Sequence, residues 1–224
     1  MKKIFSDFLI KLSKNISRKN LHKLIKNELK NFNNDKIKVV NIGSGGITEN
    51  FLRSFKNIDL KSIDINKSRN PDFVEDITKL ESFKKLNFIP DVICCFEVLE
   101  HIKSPEEAVN NLFKLSDAKT KILVSVPFNF PIHDEPNDYF RFTKYGIKHL
   151  FKEFSTIEII ERDGWIDNIF VFITRLKFSK NYILKGISVL FILIYHIIFP
   201  LTDVIQKLLK FKNITTGYFI VAKK

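Results

Sequence analysis

A chain of 224 residues, 45% of them apolar, can build the core of one α/β domain with additions, but not two complete domains. Its net charge of +12 sits at the ends: residues 1–36 hold ten Lys/Arg against three Asp/Glu, residues 175–224 nine against one, and the middle is net negative. Basic flanks beside apolar segments suit an anionic membrane surface, whereas a nucleic-acid enzyme more often surrounds its cleft with basic charge; a Lys-, Ile-, Asn- and Phe-rich composition accounts for the flanks equally well. No nucleic-acid partner is expected. Cys94 and Cys95 are neighbours in an apolar run, which disfavours a mutual disulfide and makes a reducing compartment the default. The start, MKKIFSDFLIKLSKN, interrupts its apolar residues with charge and lacks a cleavage site of small residues, so a cytoplasmic protein is expected.

In chain order, residues 1–35 are predicted to form a basic helical cap, with Ile4, Phe8, Leu12 and Ile16 and then Leu21, Leu24, Ile25 and Leu29 spaced as apolar stripes. From Lys36 short apolar runs alternate with helical stretches, the pattern of βαβ units around a parallel sheet. The runs read as strands are Ile37 to Ile42, Ile58 to Ile63, Phe73-Val74, Val92 to Phe96, Lys121 to Val126, Ile157 to Ile160 and Tyr218 to Ala222. Between the fourth and fifth, Ser104, Pro105 and Glu107 predict a capping box opening a helix with Ala108, Val109, Leu112, Phe113 and Leu115 on its apolar face. Thr143 is expected to cap a helix through Ile147, Leu150 and Phe151. Residues 36–224 then form one domain, with an apolar helical insertion at 180–212 before the last strand.

The first strand ends in VVNIGSGGITENF, where Gly43, Gly45 and Gly46 predict a tight turn into a helix near Thr48, bringing bare backbone N–H groups close to a ligand. A dinucleotide fingerprint needs glycine where Thr48 stands, which counts against an NAD-dependent enzyme. The second strand ends at Asp64, where a carboxylate at the sheet's carboxyl edge can accept from both hydroxyls of a ribose, and Asp76 after the third strand can meet an adenine amino group. Glu97, Glu100 and His101 stand together at the mouth of the fourth strand; structural or cofactor-edge roles are favoured there, and no metal is assigned. PIHDEPNDYFRFT follows the fifth strand and is expected to arch over the same edge as a substrate wall. In it His133 is the candidate base, and Asp138, Tyr139 and Arg141, with Asp134, are candidates to orient substrate; the competing reading is a self-bonded loop in which Asp138 pairs with Arg141.

Taken together, VVNIGSGG, SIDIN, VEDITKL, DVICCFEVLEHIKSPEEAV, ILVSVPF and PIHDEPNDYFRFTKYGIKHLF resemble a class I S-adenosylmethionine-dependent methyltransferase of the type 11-like family, over roughly residues 37–165 with a last matching strand at 214–222. The resemblance implies a Rossmann-like, seven-stranded, mostly parallel sheet flanked by helices, ending in an antiparallel hairpin. It implies that Gly43 and Gly45 border the methionine part of the cofactor, Asp64 and Ile65 hold its ribose side, Asp76 and the backbone of Ile77 its adenine, and that Phe96 and Glu97 lie beside the methyl sulfonium. Two positions depart from the family: Asn41 stands where an acid is usual at the end of the first strand, and Ile47 where a third glycine is usual. They keep open a rival reading, a cofactor-binding module without catalysis.

No Asn/Asp-Pro-Pro-aromatic signature of nucleic-acid amino-methyltransferases follows the fourth strand, where CFEV stands. That favours a small or lipid-linked acceptor, a glycan, lipid or quinone-type precursor methylated on oxygen. The run ISVLFILIYHIIF, from Ile187 to Phe199 and bounded by Lys185 and Pro200, falls short of the roughly 20 residues of a membrane span. With Val204 to Leu209 after it, and Lys207, Lys210 and Lys212, the segment 183–212 is expected to contact a membrane face peripherally, at its inner side, or to cover an apolar substrate entrance; burial against the domain or a second subunit explains the run equally well.

Overall fold

The computed structural model describes residues 2–30, 32, 36–79, 86–209, 211 and 213–224, with only the backbone of residues 2–7, 200 and 207. Lys2–Lys30 is one helix, α1. The elements that follow are β1 (Ile37–Ile42), α2 (Gly46–Arg53), β2 (Ile58–Asp64), β3 (Phe73–Val74), β4 (Val92–Phe96), α3 (Pro105–Leu115), β5 (Lys121–Pro127), α4 (Lys144–Leu150), β6 (Thr156–Glu161), α5 (Trp165–Arg175), α6 (Tyr182–Leu208) and β7 (Gly217–Lys223). The strands form one sheet in the order β3-β2-β1-β4-β5-β7-β6, in which β7 enters antiparallel between β5 and β6 and the other pairings are parallel. This is the expected α/β Rossmann-like architecture.

The central strands are apolar on both sides, as a sheet covered on both faces requires; all five residues of β4, VICCF, are buried. Successive side chains alternate between faces. Cys95 therefore joins Val40, Ile93, Val124 and Leu112 on the side of α3 and α4, while Cys94 joins Val39, Leu123, Leu21 and Ile25 on the side of α1 and α2. The alternation puts the two sulfurs on opposite faces of the sheet, and burial pushes both thiols far up from their ordinary pKa.

α1 buries Ile16, Leu21, Ile25 and Leu29 but leaves Phe8 exposed; the side chain of Ile4 lies outside the described residues. The helix is also held by polar contacts. Lys19 reaches Tyr195 and Asp167, and Asn20 bonds Asp163 at 2.8 Å and Asp167 at 3.3 Å. Tyr195 Oη donates to Asp167 at 2.6 Å, so one buried carboxylate links α1, α5 and α6.

Several sequence expectations need correction. Ser104 precedes α3 but makes no side-chain cap bond, so the capping box does not form and Pro105 alone marks the start. α2 begins at Gly46 rather than near Thr48. α5 was not anticipated, although Ile166, Phe170, Val171 and Thr174 have helical spacing. α6 starts at Tyr182, where Asn181 accepts from Ile183 N at 2.8 Å, and runs on through Pro200 as one helix of 27 residues. Thr143 caps α4 as expected, accepting from Gly146 N.

Gly217 opens β7 where that strand meets β5. A Cβ there would overlap the carbonyl oxygen of Val126. Gly217→Ala is therefore expected to cost about 1–3 kcal/mol through forced backbone shift, read as a lower denaturant midpoint with an unchanged slope.

Candidate active site

The carboxyl ends of β1 and β4 and the loop after β5 surround a cavity of about 810 Å³, within the range of roughly 300–1,000 Å³ usual for small-molecule sites. Its walls include Asn41, Gly43 and Gly45, then Phe96 and Glu97, and on the far side His133. α1 closes one side with Lys14, Ser17 and Arg18, and the end of α5 another with Arg175.

The glycine turn is shaped for close approach. Gly43 and Gly45 both have φ +87°, a left-handed conformation that other residues rarely adopt, and a Cβ on Gly43 would collide with Val98. Beside Gly45 the space a Cβ would fill is open, so the backbone borders the cavity directly. Asn41 is buried and turns its amide back to donate to Gly43 O at 2.9 Å, so it braces the turn. Glu49, in the first turn of α2, does the same from the other side, accepting from Gly45 N and from Ser44 Oγ at 2.9 Å while Arg53 pairs with it at 2.6 Å. Glu49 was missed from sequence; an acid in a helix's first turn directly after a glycine bend was the available signal.

Asp64 is 8% exposed, more enclosed than a free ribose acceptor. Its Oδ2 accepts from Ser44 N and its Oδ1 from Asn66 N, both at 2.7 Å, with Arg69 3.7 Å away. Each oxygen keeps a second lone pair, but the group is also a structural acceptor that joins β2 to the turn after β1. Next to it the side chain of Ile65 is 70% exposed. Asp76 takes Thr78 N and Thr78 Oγ1 on one oxygen, and Ile77 is buried with its carbonyl held by Asn111 at 2.9 Å. Asp64, Ile65, Asp76 and Ile77 thus do not line the cavity itself.

Glu97 is the most constrained acid of the site. It directly follows β4 with φ +56°, and its carboxylate lies between Arg18 and Arg162, at 2.7 Å from each, with Ser125 Oγ donating at 3.0 Å. Burial alone would raise its pKa, but Arg162 and then Arg18 outweigh it and hold the carboxyl far below the usual range. It is therefore a fixed anion that accepts three donors, and not a base. Neither arginine was singled out in the sequence; Arg162, directly after a strand end, was the more visible of the two.

Three residues on, Glu100 is fully buried with neither carboxylate oxygen hydrogen-bonded among the described residues. Burial, and then the charge of Glu97, push its pKa well above the usual carboxylate value. One ligand-type atom each from Glu100, His101 and His133 lies within 4.8 Å of the others, a spacing at which the three can share a proton or a small cation. Glu97, grouped with Glu100 and His101 in the sequence reading, stands apart in its arginine pair.

The loop after β5 is braced by its own residues. Arg141 makes two bonds of 2.6 Å to Asp138, which hold that carboxyl down to about 2, and donates further to the carbonyls of Phe130, Pro131 and Phe140. With its donors so engaged, Arg141 orders the loop instead of meeting an acceptor, and Asp138 is its partner. Tyr139 is exposed and bonded to Asn137, away from the cavity. His133 does line the cavity. Its Nδ1 is 3.3 Å from Asp138 Oδ2 and its Nε2 3.9 Å from Glu100 Oε1. Burial lowers its pKa, with Asp138 opposing and His101 adding to the shift, so the ring is neutral at pH 7.

A glycine turn of this shape at the carboxyl edge of such a sheet, with a cavity beside the end of β4, defines a Rossmann-like methyltransferase. A methyltransferase-domain family matches residues 13–165, and the chain belongs to that family. It is an S-adenosylmethionine-dependent methyltransferase, and the bare glycine cradle fits that cofactor. No curated protein matches the sequence. Among solved structures, a SAM-dependent methyltransferase from Archaeoglobus fulgidus is similar at 16% identity and a TM-score of 0.58, covering 92% of this chain and 94% of that one. The CurJ carbon methyltransferase is similar at 13% identity and 0.54, over 91% of this chain and 52% of that one. The [4+2]-cyclase SpnF, at 10% identity and 0.53 over 86% and 76%, has the same fold with a different reaction in its name, so the fold alone does not fix the acceptor.

Replacing Arg162 by Met leaves a buried carboxylate with half its cationic support and is expected to cost about 3–5 kcal/mol. The folded pKa of Glu97 is depressed, so its stabilisation is full above its ordinary value near ~4.3 and is lost as pH falls below that. Denaturant titrations from pH 7 down to acid should show a decline in the native protein that is blunted in Arg162→Met.

Proposed function

We propose that this methyltransferase methylates a hydroxyl oxygen of a small or lipid-linked acceptor, a glycan, lipid or quinone-type precursor, at the cytoplasmic face of a membrane. The observation that carries the reading is His133, neutral, backed by Asp138, on the wall of the cavity that also holds Phe96 and the glycine turn. When bound, S-adenosylmethionine supplies an already activated methyl group, so the protein's own tasks are alignment and proton removal. His133 Nδ1 lies 3.3 Å from Asp138 Oδ2 and 3.5 Å from Arg141 Nη2, so its proton state depends on which of the two it meets; with the proton on Nδ1 toward Asp138, Nε2 would take the acceptor's hydroxyl proton as the methyl group passes from sulfur to oxygen. Asn41, Gly43 and Gly45 would hold the methionine part in the cavity, and the adenosine would extend out of it past Ser44, its ribose side toward Asp64 and Ile65 and its adenine toward Asp76 and the backbone of Ile77.

The membrane part of the proposal rests on α6. Its inner face, Ser188, Ile192, Tyr195 and Thr202, is buried, while Ile183, Ile187, Leu190, Ile197, Leu201, Val204 and Leu208 form an exposed stripe at helical spacing. Tyr182–Phe199 is long and apolar enough to cross a bilayer by length and composition, and only 17% of it is buried. A single crossing would part β7 from its neighbours β5 and β6, so the helix is read as lying in the interface. Charge agrees with an anionic bilayer: Lys177, Lys180 and Lys185 flank the start of the stripe, with Lys177 over Phe178 and Lys185 over Tyr182, and Asp203 is the one acid in 175–224. Lys210 and Lys212 fall outside the described residues.

Replacing His133 by Gln is expected to lower methyl transfer from labelled S-adenosylmethionine to lipid and sugar extracts by about 10²–10⁴-fold with unchanged S-adenosylhomocysteine affinity. In the native enzyme the rate should stay on its plateau down to pH values below the ordinary histidine value of about 6.5. An unchanged rate in the variant would place the base elsewhere. For the membrane, Ile197→Glu and Leu201→Glu on the exposed stripe are expected to leave the fold intact and reduce co-sedimentation with anionic liposomes; equal sedimentation would remove α6 as the contact.

A further inference from the structure

The cationic side of the cavity has more charge than the protein's own acids there answer. Glu49 is matched by Arg53, Glu97 by Arg162 and Arg18, and Arg69 stands by Asp64. Arg175 and Lys14 also line the cavity, and neither forms an ion pair among the described residues; the unmatched acid on the wall is Asp134. Arg175 Nε is buried and lacks a hydrogen-bond partner, an arrangement that costs about 1–3 kcal/mol unless something else accepts from it. The guanidinium is stacked 4.5 Å from the centre of the Phe130 ring, which fixes its plane while leaving its edge to receive an oxyanion. Burial and then the neighbouring Arg18 lower Arg175 to about 10, and burial, Arg175 and Lys14 lower Lys177 to about 8, so these cations are close enough to repel one another.

The same wall is apolar at its rim. Ile132 and Phe178 border the cavity with most of their surface in solvent, and Phe178 lies four residues before α6 and its exposed stripe. A ligand seated here would have a charged end between Arg175 and Lys14 and an apolar end directed along Ile132 and Phe178 toward that helix.

We infer that the acceptor is an anionic amphiphile, a phosphate-bearing headgroup held by Arg175 and Lys14 with its apolar chain leaving past Ile132 and Phe178. A phosphate suits the site because it offers several acceptor oxygens and enough negative charge for both cations, which a neutral glycan or quinone does not. The inference rests on the proposed reading of this cavity as the methyl-transfer site, and it narrows the acceptor within that reading.

The test uses the full-length protein saturated with S-adenosylhomocysteine and measures, by isothermal titration, dodecyl phosphate below its micelle concentration, dodecanol and glycerol phosphate. Dodecyl phosphate is expected to bind at least about tenfold more tightly than either of the others, and Arg175→Met and Lys14→Gln each to remove about tenfold of that affinity while S-adenosylhomocysteine still binds normally. Lys14 is exposed, so Lys14→Gln serves even where Arg175→Met folds poorly. Equal binding of dodecanol would overturn the charged site, and equal binding of glycerol phosphate would overturn the amphiphile in favour of a soluble phosphate. Unaltered affinity in both variants would also overturn it. Loss of S-adenosylhomocysteine binding by the native protein would instead count against the methyl-transfer site itself.

Discussion

Glu97 between Arg18 and Arg162 is the contact on which the site depends. The carboxylate stands at the end of β4, one arginine comes from α1 and the other from the end of β6, so a single anion ties three separate parts of the chain around the cavity. An ion pair this buried contributes little net stability compared with apolar packing, but breaking it leaves a charge in a place that cannot solvate it. Its value is geometric. It keeps α1 across the mouth of the cavity, where Lys14 and Ser17 become part of the wall, and a helix that reads in the sequence as a detached cap becomes part of the site.

The two glutamates of the EVLEH segment show how burial and charge separate chemically identical groups. Glu97 meets two guanidinium groups and is held ionised, while burial and the negative charge of Glu97 raise Glu100, which has no side-chain hydrogen bond among the described residues. The result is a stepped arrangement: a fixed anion by the end of β4, an acid of raised pKa behind it, and an imidazole of lowered pKa at His133 facing that acid. In the proposed reaction His133 would gain a positive charge with the hydroxyl proton as the sulfonium loses its own, so the net charge of a cavity that already has cations along its α1 and α5 side would not rise.

What the sequence revealed and what it hid follow from the range of the interactions. The strands were readable within a residue or so at each end because the central ones, buried on both faces, leave continuous apolar runs and the edge strand β6 alternates apolar with polar residues, and the glycine bend because left-handed backbone restricts residue choice. Gly43, Gly45, Phe96, Glu97 and His133 do meet at one cavity. The partners of those residues were hidden: Arg18 is 79 positions from Glu97 and Arg162 is 65, and no local pattern announces a pair at such separation. For Arg141 the sequence left two readings open, since an arginine near a carboxylate in a loop looks the same whether it awaits a ligand or braces the chain, and the structure shows it paired with Asp138. The break expected at Pro200 did not occur, because apolar residues on both sides of it continue one stripe at helical spacing.

The central claim is that the cavity beneath α1 holds the methionine end of the cofactor, its sulfur near the end of β4 and facing His133, while the adenosine extends past Ser44 toward Asp64. A crystal structure with S-adenosylhomocysteine tests it most directly. The account predicts the homocysteine part against the Gly43–Gly45 backbone, the sulfur beside Phe96, and the ribose hydroxyls on Asp64 with Ile65 against the adenosine. Density for the ligand anywhere else, or a ribose with no contact to Asp64, would contradict it.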